Sequence, residues 1–580
     1  MLKLPCPARA ATTLGSGTLK HMSRLFSKER IVAGPGFNRW LVPPASIAIH
    51  LCIGSVYAWS IFNSPLERVR GVVDPAADDW SLASVVWIFT VAIVFLGLSA
   101  AVAGKWLERV GPRVVGTVAA MCWGGGFLVG AVGIWTHQLW LVYVGYGALG
   151  GCGLGLGYVS PVSTLIRWFP DRRGMAAGMA IMGFGGGAMI GAPLKKWLLD
   201  LFYVAPQKVD QGIEVVTRGA RRVAEVAGEL RDVVEVTENG VDIAYIAGTG
   251  SVGVAETFVV LGIAYFLVML VASFCYRIPA EGWVPTGWTP PTEDAAQKKM
   301  ISEHDVSIDR AVRTPQFYLV WIVLCFNVTA GIGVLGVAKT MMTEIFGTTL
   351  PGLVDEGFAT TYVLMISVFN MLGRFFWASV SDRIGRKPTY VLFFVLGIAL
   401  YLSIPFAAAG VSADPTAVWL VYFYAATMII FTMYGGGFAT IPAYLADLFG
   451  SRFVGGIHGR LLTAWSTAGV LGPLAITSLR ENKRLSAIRD LAGRIDATAF
   501  REKFDAGKDQ LDALVAAKTV DIGNLLELLP QDTIDPRATL YNSTMYLMAT
   551  LLGIALLANW AIRPVDKRNH LETTRQLDVE

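Results

Sequence analysis

The sequence ASVSDRIGRK, residues Ala378–Lys387, follows a long apolar segment. A related stretch, GKWLERVGPR, occupies Gly104–Arg113 in the first half of the chain. In both, a small residue precedes an acidic residue by four positions, and Arg, a hydrophobic residue and Gly follow. A charged turn that recurs between apolar segments indicates two copies of one helical unit facing the same side of a membrane. Duplicated helical halves are a common way to build an alternating-access transporter.

The composition places the chain in a membrane. Hydrophobic residues make up 54% of the 580 residues and charged residues only 16%, whereas soluble domains carry roughly 25% charged residues. Segments of about 20 apolar residues can cross a bilayer as helices. Such segments lie near 41–62, 81–103, 114–135, 139–166, 174–199, 255–276, 316–342, 358–380, 389–410, 416–446, 455–479 and 541–562. We predict an all-α integral membrane protein with twelve transmembrane helices in two pseudo-symmetric bundles of six.

The distribution of basic residues predicts the orientation. Lys and Arg concentrate in the loops on the same side as the two charged turns, and the opposite loops are acidic or mixed, which places the turns in the cytoplasm. The predicted divisions are a cytoplasmic tail (1–38), a first bundle (39–277), a cytoplasmic central loop (278–314), a second bundle (315–563) and a cytoplasmic tail (564–580). We expect a plasma or inner membrane. The first 38 residues are basic and fit a cytoplasmic tail or an upstream extension before Met22, with a transit peptide as the alternative.

Two polar inserts, 200–254 and 480–540, interrupt the bundles at equivalent places before the sixth helix of each half. Apolar residues in the first insert recur at alternating spacings of four and three, which predicts a stripe on one helix. They are Val209, Ile213, Val216, Ala220, Val223, Ala227, Leu230 and Val234. The second insert is amphipathic but less regular. We predict two extracytoplasmic helical inserts, with mobile loops as the alternative.

Several classes of function lack their motifs. The six cysteines form no CxxC pair, so we expect neither a metal site nor a disulfide framework. The glycine-rich runs are not followed by the Lys-Ser/Thr of a phosphate loop. No paired carboxylates or Ser/His/Asp set indicates an enzyme. We therefore predict no cofactor, no catalytic residue and no nucleic-acid partner.

Arg374 is the first candidate for substrate binding. It lies eight residues before Asp382, which places it about 12 Å from the cytoplasmic end of its helix. An uncompensated Arg at that depth costs a few to more than ten kcal/mol, so it is expected to face a polar cavity. Its guanidinium matches a carboxylate in bidentate fashion. The alternative is that Arg374 belongs to the charge network of the turn.

Aromatic residues occur on the segments that would surround Arg374, and they predict a compact anion cage. They are Tyr57, Tyr158, Tyr434, Phe438 and Trp465. Each also fits an ordinary packing role. His50, near the middle of the first segment, is the candidate carrier of a coupled proton, with a hydrogen-bonded packing histidine as the alternative.

Four further stretches resemble the oxalate/formate antiporter branch of the major facilitator superfamily. They are GSVYAWSIF (54–62), GLGYVSP (155–161), NMLGR (370–374) and LLTAW (461–465). The charged turns resemble the loop signature of that superfamily, although the first has Glu108 and Pro112 in place of the usual Asp and basic residue. The resemblance implies two pseudo-symmetric bundles that hold a substrate between them at mid-membrane.

The resemblance implies a binding site of the kind found in that family, where an Arg on the eighth helix and a Lys on the eleventh helix hold a dicarboxylate. Arg374 matches the first, whereas Trp465 stands at the second, so a monocarboxylate such as formate or lactate is expected instead of oxalate. Related monocarboxylate transporters carry an acid where this chain has Asn370. Because Asn carries no proton, symport would need His50, whereas anion exchange needs no such group.

We therefore expect a secondary active transporter of small organic carboxylates, working as a monomer by exchange or proton symport. The predicted conformational latches are formed by Gly104, Glu108, Arg109, Arg113, Asp382, Arg383 and Arg386. A small membrane subunit on the inserts is a further candidate partner, besides the substrate and the bilayer. The alternatives are an inorganic-anion carrier for nitrate or nitrite, and a carboxylate receptor that does not transport.

Overall fold

The computed structural model describes residues 27–571, apart from 210–212, 214, 219–220, 227, 239–240, 290–299, 303, 517–518 and 531–532. In this part of the chain, twelve helices are long and apolar enough to cross a membrane. They are α1 (Arg39–Leu66), α2 (Leu82–Val110), α3 (Pro112–Trp135), α4 (Leu139–Trp168), α5 (Arg173–Phe202), α6 (Val254–Cys275), α7 (Pro315–Phe346), α8 (Glu356–Ile384), α9 (Arg386–Ala413), α10 (Ala417–Phe449), α11 (Val454–Arg494) and α12 (Pro536–Ala561). The prediction of twelve helices in two bundles of six is confirmed. The outer parts of both predicted tails, 1–26 and 572–580, lie outside the described residues.

The two charged turns connect α2 to α3 and α8 to α9, and the side that carries them is called the motif side. Gly111 and Gly385 end the first helix of each pair with φ angles of 83° and 92°, a region that favours glycine. Pro112 then begins α3, where its missing N–H leaves no helical bond unmade. The departure from the usual basic residue at Pro112 is therefore compatible with the same turn.

The two halves meet closely on the motif side. There α2 packs against α11, and α5 packs against α8. A Cβ atom on Gly104 would lie 2.4 Å from the Cα atom of Gly456, so a side chain at Gly104 would push α2 and α11 apart. Small residues permit this kind of close backbone contact between membrane helices.

The first insert is a β-sheet, so the prediction of a helix is wrong. Its strands are β1 (Val215–Arg218), β2 (Arg221–Val226), β3 (Glu229–Glu238) and β4 (Val241–Ile246). They pair antiparallel in chain order. The register places Val216 opposite Val223, Ala224 opposite Arg231, and Val234 opposite Tyr245.

The apolar stripe predicted for the first insert does not share one face. Val223 and Val234 are buried, whereas Val216 and Leu230 are 46% and 55% exposed. The predicted members Ala220 and Ala227 lie outside the described residues. Valine-rich segments favour strands, and short connections ending in Gly are typical of hairpins. Gly228, with a φ angle of 81°, supplies the turn between β2 and β3.

The second insert is helical and extends from α11, which continues to Arg494. Three shorter helices follow, at Ala497–Phe504, Leu511–Ala516 and Ile522–Leu526. Ile488 and Leu491 are buried, as the amphipathic pattern of this insert predicts. Both inserts lie opposite the motif side, because α5 and α11 each begin at the motif side and cross the bundle before the inserts start.

The helix α1 changes its winding halfway across the bundle. Val42–Gly54 is α-helical, and Ser55–Phe62 is a 3₁₀-helix in which Ala58 departs from helical angles (φ −93°, ψ 27°). Segments of 3₁₀-helix longer than three or four residues are uncommon, and those within helices often mark hinges. This break positions Tyr57 toward the centre of the molecule.

Candidate substrate-binding site

Arg374 lies in α8 at the centre of the molecule and is 1% exposed. Its Nε donates a hydrogen bond to Oδ1 of Asn370 (2.9 Å), and its Nη1 donates to the carbonyl oxygen of Ile181 on α5 (3.2 Å). Among the described residues, no carboxylate forms an ion pair with Arg374. A buried charge without an opposite charge is costly, so this guanidinium is suited to binding an anion.

Aromatic rings from both halves surround this position. The ring of Trp465 is fully buried, and its centroid lies 4.8 Å from that of Phe438, 5.5 Å from that of Tyr158 and 6.3 Å from that of Tyr57. Tyr434 on α10 is 3% exposed and packs against Gly331 of α7. The structure therefore brings together the five predicted cage residues, from α1, α4, α10 and α11. We call this set the aromatic cage.

Phe184 on α5 also belongs to the aromatic cage and was missed in the sequence. Its ring lies 5.1 Å from that of Tyr57, 5.4 Å from that of Tyr158 and 5.3 Å from that of Trp465. The Cζ of Arg374 lies 5.8 Å from the Phe184 centroid and 5.4 Å from that of Phe438, so two ring faces contribute cation–π attraction. Phe184 is the one large side chain in the stretch GFGGG (183–187), and this contrast is the signal that could have found it.

The aromatic cage contains polar groups that are buried without hydrogen-bond partners. They are the hydroxyls of Tyr57, Tyr158 and Tyr434 and the indole Nε1 of Trp465. The Tyr57 hydroxyl lies close to the polar groups of Arg374, Tyr434 and Trp465. All four groups can donate a hydrogen bond, and leaving a buried donor unpaired costs about 1–3 kcal/mol. A cation beside four unpaired donors is suited to a small ligand rich in acceptor oxygens.

His50 lies behind the aromatic cage. Its ring stacks on that of Tyr158 at 5.0 Å, and it is fully buried. Its Nδ1 lies 2.5 Å from the carbonyl oxygen of Ala180, and its Nε2 lies 3.2 Å from that of Tyr158. A neutral imidazole has one N–H and can donate to one of these carbonyls, whereas a protonated ring donates to both.

The second charged turn binds the first half of the molecule through Asp382. Its carboxylate accepts hydrogen bonds from the backbone N–H groups of Gly174 (2.8 Å) and Met175 (2.9 Å), at the start of α5. An acid at a helix N-terminus is stabilised by unpaired N–H groups and by the helix dipole. Arg386 holds this acid in place through its Nη2, at 2.7 Å.

A second acid, Asp447 at the end of α10, extends this contact and was not predicted as part of it. Arg386 donates to Asp447 at 2.8 Å, and Arg173 of the first half donates to it at 3.0 Å. The carboxylate of Asp447 is buried, so it joins a basic residue of each half away from water.

The first charged turn makes a different set of contacts. Glu108 forms an ion pair with Arg167 of the same half, and Arg167 also donates to the carbonyl oxygen of Arg452 in the second half (2.8 Å). Arg113 donates to the carbonyl oxygen of Phe274 within the first half (3.2 Å). Arg109 and Arg383 are exposed and form no ion pair with any described residue.

Asp309, in the segment between the two halves, joins them as well. It accepts from Lys105 at 2.6 Å and from Arg460 at 3.1 Å. Hydrogen bonds from Lys105 and Arg460 lower the pKa of this exposed carboxyl. The described residues contain no group of three or more His, Cys, Asp or Glu side chains that could hold a metal ion.

Comparison with known proteins identifies the family. The pattern of the Major Facilitator Superfamily matches residues 37–205 and 243–473. The chain belongs to the Major Facilitator Superfamily. It is therefore a multi-pass membrane transporter and not an enzyme. A solved structure of the MFS proton:xylose symporter XylE superposes with a TM-score of 0.51 at 13% identity, covering 91% of this chain and 96% of that one. This similarity is evidence for the fold alone.

Two relatives carry the names of carboxylate transporters. The oxalate:formate antiporter of Oxalobacter formigenes is 26% identical over 445 residues, covering 75% of this chain and 83% of that protein. Monocarboxylate transporter 11 of Homo sapiens is 32% identical over 175 residues, covering 29% of this chain and 34% of that protein.

Proposed function

We propose that this transporter exchanges small monocarboxylates across a membrane by alternating access, with Arg374 binding the carboxylate. The observation that carries the proposal is a buried guanidinium that donates to the neutral Asn370 and forms no ion pair with any described carboxylate. Substrate would supply the missing negative charge. The unpaired donors of the aromatic cage would bind its oxygens, and the rings of Phe184 and Phe438 would cover its apolar part.

The aromatic cage favours one carboxylate over two. Arg374 is the one cation described in contact with it, and Trp465 occupies the place where the family carries a second. A dianion would bring a second charge against an indole ring, where only a single neutral N–H is offered. The names of the two relatives, an oxalate:formate antiporter and a monocarboxylate transporter, are consistent with this class of substrate.

The charge of the binding site favours anion exchange over proton symport. Without substrate, Arg374 would have to move through the closed state as an uncompensated buried cation, which is costly. With a bound monoanion the site is neutral, so the loaded carrier reorients and the unloaded one does not. Proton symport would require a titrating group such as His50, which lies behind Tyr158 and between two carbonyl oxygens.

Alternating access would use the contacts on the motif side as latches. Glu108 and Asp382 would act in the state that is closed there, together with Gly104, Arg113 and Arg386. The exposed Arg109 and Arg383 would help to keep the motif side in the cytoplasm. The proposal includes cytoplasmic termini, a plasma or inner membrane, and function as a monomer. It also includes a small membrane subunit as a candidate partner of the inserts.

Uptake into proteoliposomes tests the proposal. Labelled formate is competed with lactate, oxalate and nitrate, and wild-type protein is compared with Arg374→Ala. Leu372→Ala, at an exposed position of the same helix, is the matched control. We expect competition by monocarboxylates, loss of uptake in Arg374→Ala and normal uptake in Leu372→Ala. Stronger competition by nitrate would indicate an inorganic-anion carrier, and binding without uptake would indicate a receptor.

A further inference from the structure

Lys195 on α5 is a fully buried cation outside the site described above. It lies seven residues before the end of α5, about 10 Å along the helix from that end. No ion pair links it to a carboxylate among the described residues. An ionisable residue within a membrane segment is costly and is expected to have a defined partner.

The partner of Lys195 is the break in α1. Its Nζ donates to the carbonyl oxygen of Ser55 at 2.7 Å and lies 3.3 Å from that of Ala58. The same ammonium lies 4.9 Å from the ring centroid of Phe62. These three residues mark the start, the irregular point and the end of the 3₁₀ segment. The side-chain nitrogen of Lys195 therefore contacts three residues spread over the segment.

The face of α5 that contacts α1 explains how Lys195 reaches this break. Gly183, Gly187 and Gly191 precede Lys195 at intervals of four residues, so all four lie on one helix face. A Cβ atom on Gly187 would lie 2.5 Å from the carbonyl oxygen of Leu51. The glycines bring α1 against α5, and the next residue on the same face supplies donors where α1 loses its regular hydrogen bonds.

Tyr57 lies between the two carbonyl groups that Lys195 contacts. Its backbone belongs to the 3₁₀ segment, and its ring packs on Phe184 and Trp465 in the aromatic cage. A change in the winding of Ser55–Phe62 rotates Tyr57 about the helix axis, because successive side chains in a 3₁₀-helix are separated by a different angle from those in an α-helix.

We propose that Lys195 is a positioning residue, which holds the 3₁₀ segment of α1 and thereby keeps Tyr57 in the aromatic cage. The proposal rests on the proposed function, because Tyr57 matters only if the cage binds substrate. Lys195 itself does not touch the substrate: Phe184, which does line the cage, lies eleven residues earlier on α5, about 16 Å along the helix.

Hydrogen exchange of the purified protein tests the first step without any substrate. Lys195→Met removes both hydrogen bonds and retains an apolar side chain. Amide exchange of residues 55–62 should rise about 5- to 10-fold. Lys196→Met, at the exposed neighbouring position, should leave it unchanged. Unchanged exchange in Lys195→Met would overturn the proposal. If Lys195→Met does not fold, Lys195→Gln, which keeps donors without the charge, is used and should show a smaller rise.

A double-mutant cycle on formate uptake tests the second step. Tyr57→Phe and Lys195→Met should each raise KM for formate about 5- to 10-fold. The KM of the double variant should be no higher than that of either single variant. A merely structural role would lower Vmax and leave KM unchanged, and additive changes in KM would likewise overturn the proposal. If the proposed function is wrong, the wild-type protein will take up no formate. The hydrogen-exchange experiment does not depend on that result, so the two failures are distinguishable.

Discussion

Asn370 and Arg374 lie one helical turn apart on α8, and the amide oxygen of Asn370 accepts a hydrogen bond from Nε of Arg374 at 2.9 Å. The amide orients the guanidinium without neutralising it. The guanidinium also donates to the carbonyl oxygen of Ile181 and lies over the rings of Phe184 and Phe438 in the aromatic cage. This pair sets the charge of the site, and its replacement gives the first prediction.

Asn370→Asp should convert the site to one that depends on pH. The introduced carboxylate would pair with Arg374 and compete with substrate, so KM for formate should rise about 10-fold or more at neutral pH. Bound formate would take over Arg374 and leave this carboxyl buried beside a second anion, which favours its protonated form. Substrate binding would then take up a proton, so affinity should recover as the pH falls. Uptake measured between pH 5 and 8 checks this, with Asn370→Ala as a control that lacks the pH dependence. Equal KM at both ends of the range would contradict it.

Trp465→Lys should change the choice of substrate. The variant places a second cation in the aromatic cage, opposite Arg374, and a second charge attracts a dianion more strongly than a monoanion. Competition of formate uptake by oxalate should strengthen about 10-fold or more relative to competition by lactate. Trp465→Phe, which keeps a ring without the charge, is the control. Unchanged selectivity would remove the reason for favouring monocarboxylates.

Asp382→Ala should weaken the state that is closed on the motif side. The variant removes the acid that caps α5, a loss of about 1–2 kcal/mol, which shifts the equilibrium between states about 5- to 30-fold. Cysteine labelling from the motif side should become faster, and Vmax should fall more than KM changes. Asp309→Ala removes an exposed acid from the same side and should have a much smaller effect. Equal effects of the two variants would be evidence against the helix cap.

Gly104→Leu should prevent closure on the motif side. The Cβ atom alone would meet the Gly456 backbone at 2.4 Å, so α2 and α11 cannot keep this contact. We expect loss of exchange, with the protein folded and accessible to labelling from the motif side. Gly553→Leu on α12, where a Cβ atom would meet nothing within 4 Å, should transport normally. Normal exchange by Gly104→Leu would show that this contact is not needed in the cycle.

The twelve helices could be predicted because the thickness of the bilayer dictates their length and apolar composition. The residues on α1, α4, α8, α10 and α11 that surround Arg374 were predicted from depth and from the family resemblance. Phe184 could not be distinguished in a glycine-rich segment, since only the packing of α5 against α1 directs its ring to the centre.

Lys195 escaped prediction for a related reason. It stands beside Lys196 near the end of its segment, where two lysines are typical of a membrane interface. Its burial depends on the break in α1, which no local sequence pattern predicts. In the first insert, the spacing of four and three suggests a helix, whereas Gly219, Gly228 and Gly240 recur between valine-rich segments and indicate hairpins.

Counterflow in proteoliposomes tests whether the protein exchanges anions that bind at Arg374. Labelled formate uptake is measured with and without internal unlabelled formate, with and without an acidic exterior, in wild-type protein and in Arg374→Ala. We expect uptake that requires the internal anion, does not change with the pH gradient and is absent in Arg374→Ala. Uptake driven by the acidic exterior alone would contradict exchange and direct attention to His50, and uptake by Arg374→Ala would contradict the site itself.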